Sequence, residues 1–185
     1  GEHKKGTLTF AWSLANRFDY VACHGGMKRY NLEGGKTYTI GVFGLSGSGK
    51  STLTHEKHGG RYDISILHDD AYVINTNDLS SIALEPTYFD KMQDYPVEHP
   101  ANEFLLTLQN VGVTMDEDGR KVVLAEDVRN SNGRAIKSQF WTDNRVNYVG
   151  EPVNAIVWLM KDKTLPPILK IDDPVLASTM GATLA

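Results

Sequence analysis

Apolar positions along the chain fall into short runs punctuated by glycine and polar turns. Three runs read as strands: Thr39 to Phe43, Ile64 to Leu67 and Val153 to Met160, the last apolar enough for a strand covered on both faces. Gly6 to Leu14 alternates loosely, as a strand running into a short helix does. Asp19 to His24 is a short apolar run that ends on a histidine before Gly25-Gly26. Thr52 to Lys57 has room only for a short helix before Gly59-Gly60 stops it. Residues 75 to 101 read as a long loop with short strands, and Asn102 to Val111 has helical spacing. Val113 to Met115 and Lys121 to Leu124 flank Asp116-Glu117-Asp118-Gly119 as the arms of a hairpin. Residues 125 to 150 are polar, with Arg129, Arg134 and Arg145 as surface arginines or anion contacts. Asp173 suits the N-cap, and Pro174 the first position, of a terminal helix.

These elements predict a mixed α/β fold whose central twisted sheet contains the three strands, with a site at their C-terminal edge. No internal repeat or flexible linker interrupts the chain, so residues 1–185 are expected to form one domain. The opening without Met and a last helix lacking a polar final turn suggest a piece of a longer protein.

Composition narrows the partners. With 41% apolar and 23% charged residues the chain is ordinary for a globular domain. Its net charge of −4, from 19 basic and 23 acidic residues, offers no general attraction to nucleic acid or an anionic membrane and favours a small anion as ligand. The one cysteine, Cys23, rules out an internal disulfide framework. No apolar run approaches the length of a membrane span and no signal-peptide pattern is present, so a cytoplasmic location is expected.

The strongest chemical signal follows the first predicted strand. Gly44-Leu45-Ser46-Gly47-Ser48-Gly49-Lys50-Ser51 fits the phosphate-loop pattern G-x-x-x-x-G-K-[ST] at every fixed position. Its glycines let the backbone wrap a phosphate with N–H groups pointing inward. Lys50 then reaches the β and γ phosphates, Ser51 offers a hydroxyl to Mg2+, and the helix starting near Thr52 presents its positive end. The strand–loop–helix order around the motif is the one this chemistry needs.

About twenty residues on, the strand Ile64 to Leu67 runs into His68-Asp69-Asp70. Carboxylates at such a strand end can hold or orient a metal beside a triphosphate. Alternation along a strand would send Asp69 and Asp70 to opposite sides unless the strand has ended. His24, at a strand end before a glycine turn, is open to a structural role or to metal ligation. Lys91 is an exposed lysine or a phosphate contact.

Five separated stretches together resemble ATP-dependent phosphoenolpyruvate carboxykinase: GEHKKG at the start, a histidine nineteen residues after Lys5, GLSGSGKST, the strand ending HDD, and VWLMKDKTLPPILKI. The resemblance covers nearly the whole chain but only a middle segment of the family's protein. It implies conversion of oxaloacetate and ATP to phosphoenolpyruvate, ADP and carbon dioxide. By matching motif it implies Lys5, His24 and Asp70 as Mn2+ ligands, Asp69 and Ser51 as the Mg2+ pair, and Lys50 on the transferred phosphoryl group. Residues Gly44 to Thr52, with Lys91, would hold the nucleotide, and a neutral Lys5 is required for ligation. Where the family has an arginine after its Pro-Pro pair this chain has Lys170, and where the family has Glu-Gly-Gly it has Glu85-Pro86-Thr87. Two other readings stay open: a protein kinase resembling HPr kinase/phosphorylase, which gives Lys5 and His24 no role, and a nucleotide-sensing module without catalysis.

Overall fold

The structure, a computed structural model, describes residues 2–85, 87–91, 112–124, 134–138 and 147–184. Two compact units emerge, one of residues 1–85 with 144–185 and one of residues 86–143. The first carries α1 (Glu2–Ala15), β1 (Tyr20–His24), β2 (Gly26–Asn31), β3 (Thr37–Gly44), α2 (Lys50–His55), β4 (Asp63–His68), β5 (Ala71–Asn75) and β6 (Ser81–Ala83). The second contains β7 (Thr87–Lys91), β8 (Val113–Met115), β9 (Lys121–Val123) and β10 (Arg134–Ser138). The chain returns to the first unit with β11 (Tyr148–Val149), β12 (Ala155–Leu159) and α3 (Pro174–Leu184). The fold is mixed α/β with several small sheets.

One four-stranded sheet has the order β12-β3-β2-β4 and contains all three strands expected from the apolar runs. β12 lies parallel to β3, while β2 runs antiparallel to both β3 and β4. β3, β4 and β12 therefore point the same way, and their C-terminal ends share one edge. A second sheet has the order β1-β5-β6-β11.

The two sheets are joined by a continuous ribbon. β1 leads through Gly25 into β2, β4 leads through Asp69-Asp70 into β5, and each segment of one arm pairs antiparallel with a segment of the other. A register shift at Met27/Lys28 lets this ribbon bend from one sheet to the next. The bend packs tightly enough to need glycine: a Cβ on Gly26 would overlap Thr54 of α2, and one on Gly25 would press on the Phe43 ring. Beneath it, Met27, Leu67 and Tyr72 are wholly buried, each contributing about 1.5–3 kcal/mol by leaving water. Tyr72 also donates its hydroxyl to Gly26 O at 3.3 Å, and its ring lies 6.1 Å from that of Phe43.

Two expectations are corrected. Gly6 to Leu14 is not a strand entering a helix but part of α1. The loose alternation was fortuitous, because the less exposed side is Lys4, Leu8, Ala11, Trp12 and Ala15, a helical stripe, with Phe10 left 66% exposed. β12 is not buried on both faces. It is an edge strand of its sheet, and Ile156 and Trp158 remain substantially exposed although α3 brings Gly181 against the Trp158 ring.

Other expectations are met. α2 is a single short helix and the β8–β9 hairpin forms around Asp116 to Gly119. Asp173 caps α3 by accepting from Leu176 N at 2.8 Å. Asn102 to Val111, Arg129 and Arg145 lie outside the described residues.

Candidate functional site

The shared edge of β3, β4 and β12 carries the chemically active stretches. The glycine loop leaves β3 and enters α2, Asp69-Asp70 follow β4, and Lys161 follows β12. Gly47 and Gly49 take positive φ values of 72° and 98°, which β-carbon-bearing residues adopt only with strain. Gly44 is excluded from substitution by space: a Cβ there would lie 2.6 Å from both Leu159 O and Ser48 Oγ. Lys50, the first residue of α2, folds back and donates to Gly44 O at 2.8 Å and Leu45 O at 2.9 Å. Ser48 Oγ is buried without a hydrogen-bond partner. The Lys161 ammonium lies 3.7 Å from where a Gly47 Cβ would be, so a second cation overlooks the loop. Leu45, Ser46 and Gly47 at the loop's crest, and Ser51 and Thr52 in the first turn of α2, are exposed.

The far end of α2 is anchored by Lys28, a fully buried lysine of β2. Its ammonium donates to Leu53 O at 2.9 Å and to Glu56 O, carbonyls left open at the helix C-terminus. It also lies 3.0 Å from His58 Nε2, which the Tyr30 hydroxyl approaches at 3.1 Å. Burial pulls the Lys28 pKa down.

The second cluster sits at the bend of the ribbon. Antiparallel register sets His24 opposite Ala71, and Gly25 N donates to Asp70 O at 2.9 Å, which fixes the histidine beside the carboxylate. His24 Nε2 is 2.9 Å from Asp70 Oδ1, and the Trp12 ring lies 6.1 Å from the imidazole. Lys4, on the inward stripe of α1, reaches Asp70 Oδ2 at 3.3 Å and Glu85 Oε1 at 2.7 Å. Burial alone would push the Asp70 carboxyl up. Hydrogen bonds with His24 and Glu85 and the positive charges of His24 and Lys4 outweigh that and hold it well below its usual range. The Asp70 hydrogen bond in turn raises the His24 pKa against the opposing effect of burial. Glu85, just after β6 and 6% exposed, is shifted upward, chiefly by burial and also by Asp70, against the pull of Lys4.

Asp69 turns the other way. The strand ends at His68, and the buried Asp69 faces α2, with Oδ1 3.2 Å from His55 Nε2. Ser51 precedes His55 by one helical turn, so Asp69 lies against the helix face that also carries the Ser51 hydroxyl.

The structure thus brings His24 and Asp70 together and sets Lys50, Ser51 and Asp69 around α2. Lys5 is exposed: one residue along a helix is a rotation of about 100°, and it is Lys4 that falls on the inward stripe. Lys170 is exposed and pairs with Asp172 at 2.8 Å. Lys91 lies in β7 of the second unit. Four contributors escape motif reading: Lys4, Glu85, His55 and Lys161. Lys4 carried a signal in the helical spacing from Lys4 through Leu8 to Trp12, and Glu85 and Lys161 lie in stretches already quoted for the resemblance.

The donors at the bend suit a divalent cation: an imidazole nitrogen and a carboxylate oxygen meet, and buried Glu85 Oε2 has no donor unless the two carboxyl groups share a proton. Among the described residues no three His, Cys, Asp or Glu side chains converge as a ready-made metal cage. A cation held by His24 and Asp70 would therefore draw on a ligand of another kind.

The fold, then, is a mixed α/β domain with a glycine loop, a lysine and two strand-end carboxylates at one sheet edge. A sequence model of the ATP-type phosphoenolpyruvate carboxykinase family matches residues 1–177, so the chain belongs to that family. The phosphoenolpyruvate carboxykinase (ATP) of Aeropyrum pernix is 28% identical over 185 aligned positions, which cover 94% of this chain and 37% of that protein. The chain thus spans little more than a third of the length of this relative.

Proposed function

We propose that the chain is the nucleotide- and metal-binding part of a cytoplasmic phosphoenolpyruvate carboxykinase, which converts oxaloacetate and ATP to phosphoenolpyruvate, ADP and carbon dioxide. The observation that carries this reading is the convergence of the glycine loop, Lys50, Asp69-Asp70 and His24 on one sheet edge of a chain in that family. In the reaction the bond from oxaloacetate to its departing carboxylate breaks, and the enolate oxygen left behind takes the γ-phosphoryl group of ATP.

The loop from Gly44 to Ser51 wraps the triphosphate with its N–H groups, and Lys50 leaves the Gly44 and Leu45 carbonyls to meet the β and γ phosphates. Lys161 adds charge over the loop. Ser51 and Asp69 would hold Mg2+ of the nucleotide, and His24, Asp70 and Lys5 would hold Mn2+. Bound there, the two cations supply positive charge against the transferred phosphoryl oxygens. Lys5 is exposed on α1, so this role requires its own side chain to reach inward from there. Lys170 and Lys91 belong to the same reading as anion contacts. Among the described residues no helix is long and apolar enough to cross a membrane, and the acidic balance supports a small anionic substrate rather than nucleic acid.

The test is formation of phosphoenolpyruvate and ADP from oxaloacetate and ATP with Mg2+ and Mn2+ by the protein that contains this chain. A Lys50→Met variant is expected to lose at least about a hundredfold in kcat, as loss of a charge stabiliser in the transition state does. Activity that survives this substitution would refute the role of the loop.

A further inference from the structure

We propose that Lys4 is a resident cation on Asp70, which a divalent ion must displace, and that Glu85 is the positioning residue that keeps the displaced ammonium within the site. The inference rests on the reading of His24 and Asp70 as metal ligands but assigns two residues that this reading leaves without a part. Three facts carry it. The Lys4 ammonium sits between two carboxylates, on the opposite Asp70 oxygen from His24, so it occupies part of the surface that a cation would use. Its contacts with the two carboxylates are unequal, 3.3 Å to Asp70 and 2.7 Å to Glu85, so the longer one can break while the shorter one holds. Glu85 is almost fully buried and Lys4 only half so, which makes the carboxylate the fixed member of the pair.

Two carboxylates side by side, Glu85 buried and Asp70 partly so, repel each other, and the ammonium offsets that repulsion in the absence of metal. A dication arriving at His24 and Asp70 replaces the ammonium there and repels it toward Glu85. Metal arrival thus frees a positive group beside the site for an anionic substrate, and Lys4 exacts a penalty on metal affinity. Lys5, one residue along, is exposed and has no such position.

Titration of the chain with Mn2+ alone, followed by the loss of the free-ion electron paramagnetic resonance signal, tests this without any assay of catalysis. Lys4→Gln, which can still hydrogen-bond to Glu85, is expected to lower the Mn2+ dissociation constant about tenfold or more. Glu85→Gln is expected to raise it, because the ammonium then loses the carboxylate that draws it away from Asp70. The charge-neutral double variant Lys4→Gln/Glu85→Gln leaves net charge unchanged and relieves a buried carboxylate, so it is the variant most apt to fold. It is expected to bind Mn2+ more tightly than the wild type. Lys36→Met, on an exposed turn, controls for net charge and is expected to leave binding unchanged.

Weaker binding in the double variant would make Glu85 a ligand itself and overturn the proposal, as would binding unaltered by Lys4→Gln. If neither wild type nor variants bind Mn2+, the metal reading falls and this inference with it. Wild-type binding that Lys4→Gln leaves unchanged removes the inference alone.

Discussion

Gly26→Ala tests how closely α2, and with it the glycine loop, is seated on the sheet. In a strand with ordinary φ, exchanging glycine for alanine would by itself stabilise the fold by about 0.4–1 kcal/mol through a less flexible unfolded chain. The structure reverses that sign. The new methyl group would overlap Thr54 Oγ1 and lie 2.8 Å from both Thr54 Cβ and Cγ2, against an ordinary carbon contact of about 3.5–4.0 Å. Thr54 is wholly buried and donates its hydroxyl to Lys50 O at 2.8 Å, so rotating the side chain away breaks a bond inside α2. The alternative is a retreat of α2 by about 1 Å, which strains the Lys28 contacts at its other end. Overpacking of this kind costs about 1–3 kcal/mol, or about 2–12 °C in Tm for a domain of this size. Thermal unfolding of Gly26→Ala, Thr54→Ala and the double variant measures it. Thr54→Ala removes the overlapping hydroxyl and the Cγ2 methyl, so the double variant should be more stable than the two single losses added together. Additive losses, or a stabilised Gly26→Ala, would refute the claim that contact with Thr54 is what holds this position to glycine.

Three further outcomes follow from the same geometry. Burial pushes the Cys23 thiol up to about 12, from 9.0 in an unfolded chain. Its contribution to stability is therefore complete below pH 9 and lost between pH 9 and 12, at up to about 1.4 kcal/mol per pH unit. Denaturant melts should show a shallower alkaline loss in Cys23→Ala, and iodoacetamide should modify the native thiol far more slowly than the unfolded one. Lys28→Met should cost about 2–4 kcal/mol, because it leaves the Leu53 and Glu56 carbonyls at the end of α2 without their donor; urea unfolding checks it. Lys161→Ala should weaken ATP binding by about three- to tenfold with little change in Tm, as removal of one exposed phosphate-facing charge does. Equal ATP affinity would set Lys161 aside.

Much of this arrangement was legible in the sequence because it depends on local rules. Three apolar runs became three strands of one sheet, and the spacing of glycines and lysine after Phe43 marked a loop that then took positive φ at Gly47 and Gly49. The strand ends at His68, and the adjacent aspartates still face opposite clusters, as alternation along a strand suggested. What escaped depends on contacts distant in the chain. The resemblance singled out Lys5, and the phase of α1 adds Lys4, which lies on the same inward side as Trp12 near His24. Glu85 gained meaning only when β6 joined β5 and brought it to Asp70. The exposure of β12 followed from its place at the sheet edge, which an apolar run cannot reveal.

Calorimetric titration of the chain with ATP in the presence of Mg2+, with Lys50→Ala in parallel, tests the central claim most directly. The account predicts one saturable site in the wild type and its loss in a variant whose melting curve is otherwise preserved. No heat of binding up to millimolar ATP, or the same affinity with and without the Lys50 ammonium, would contradict it.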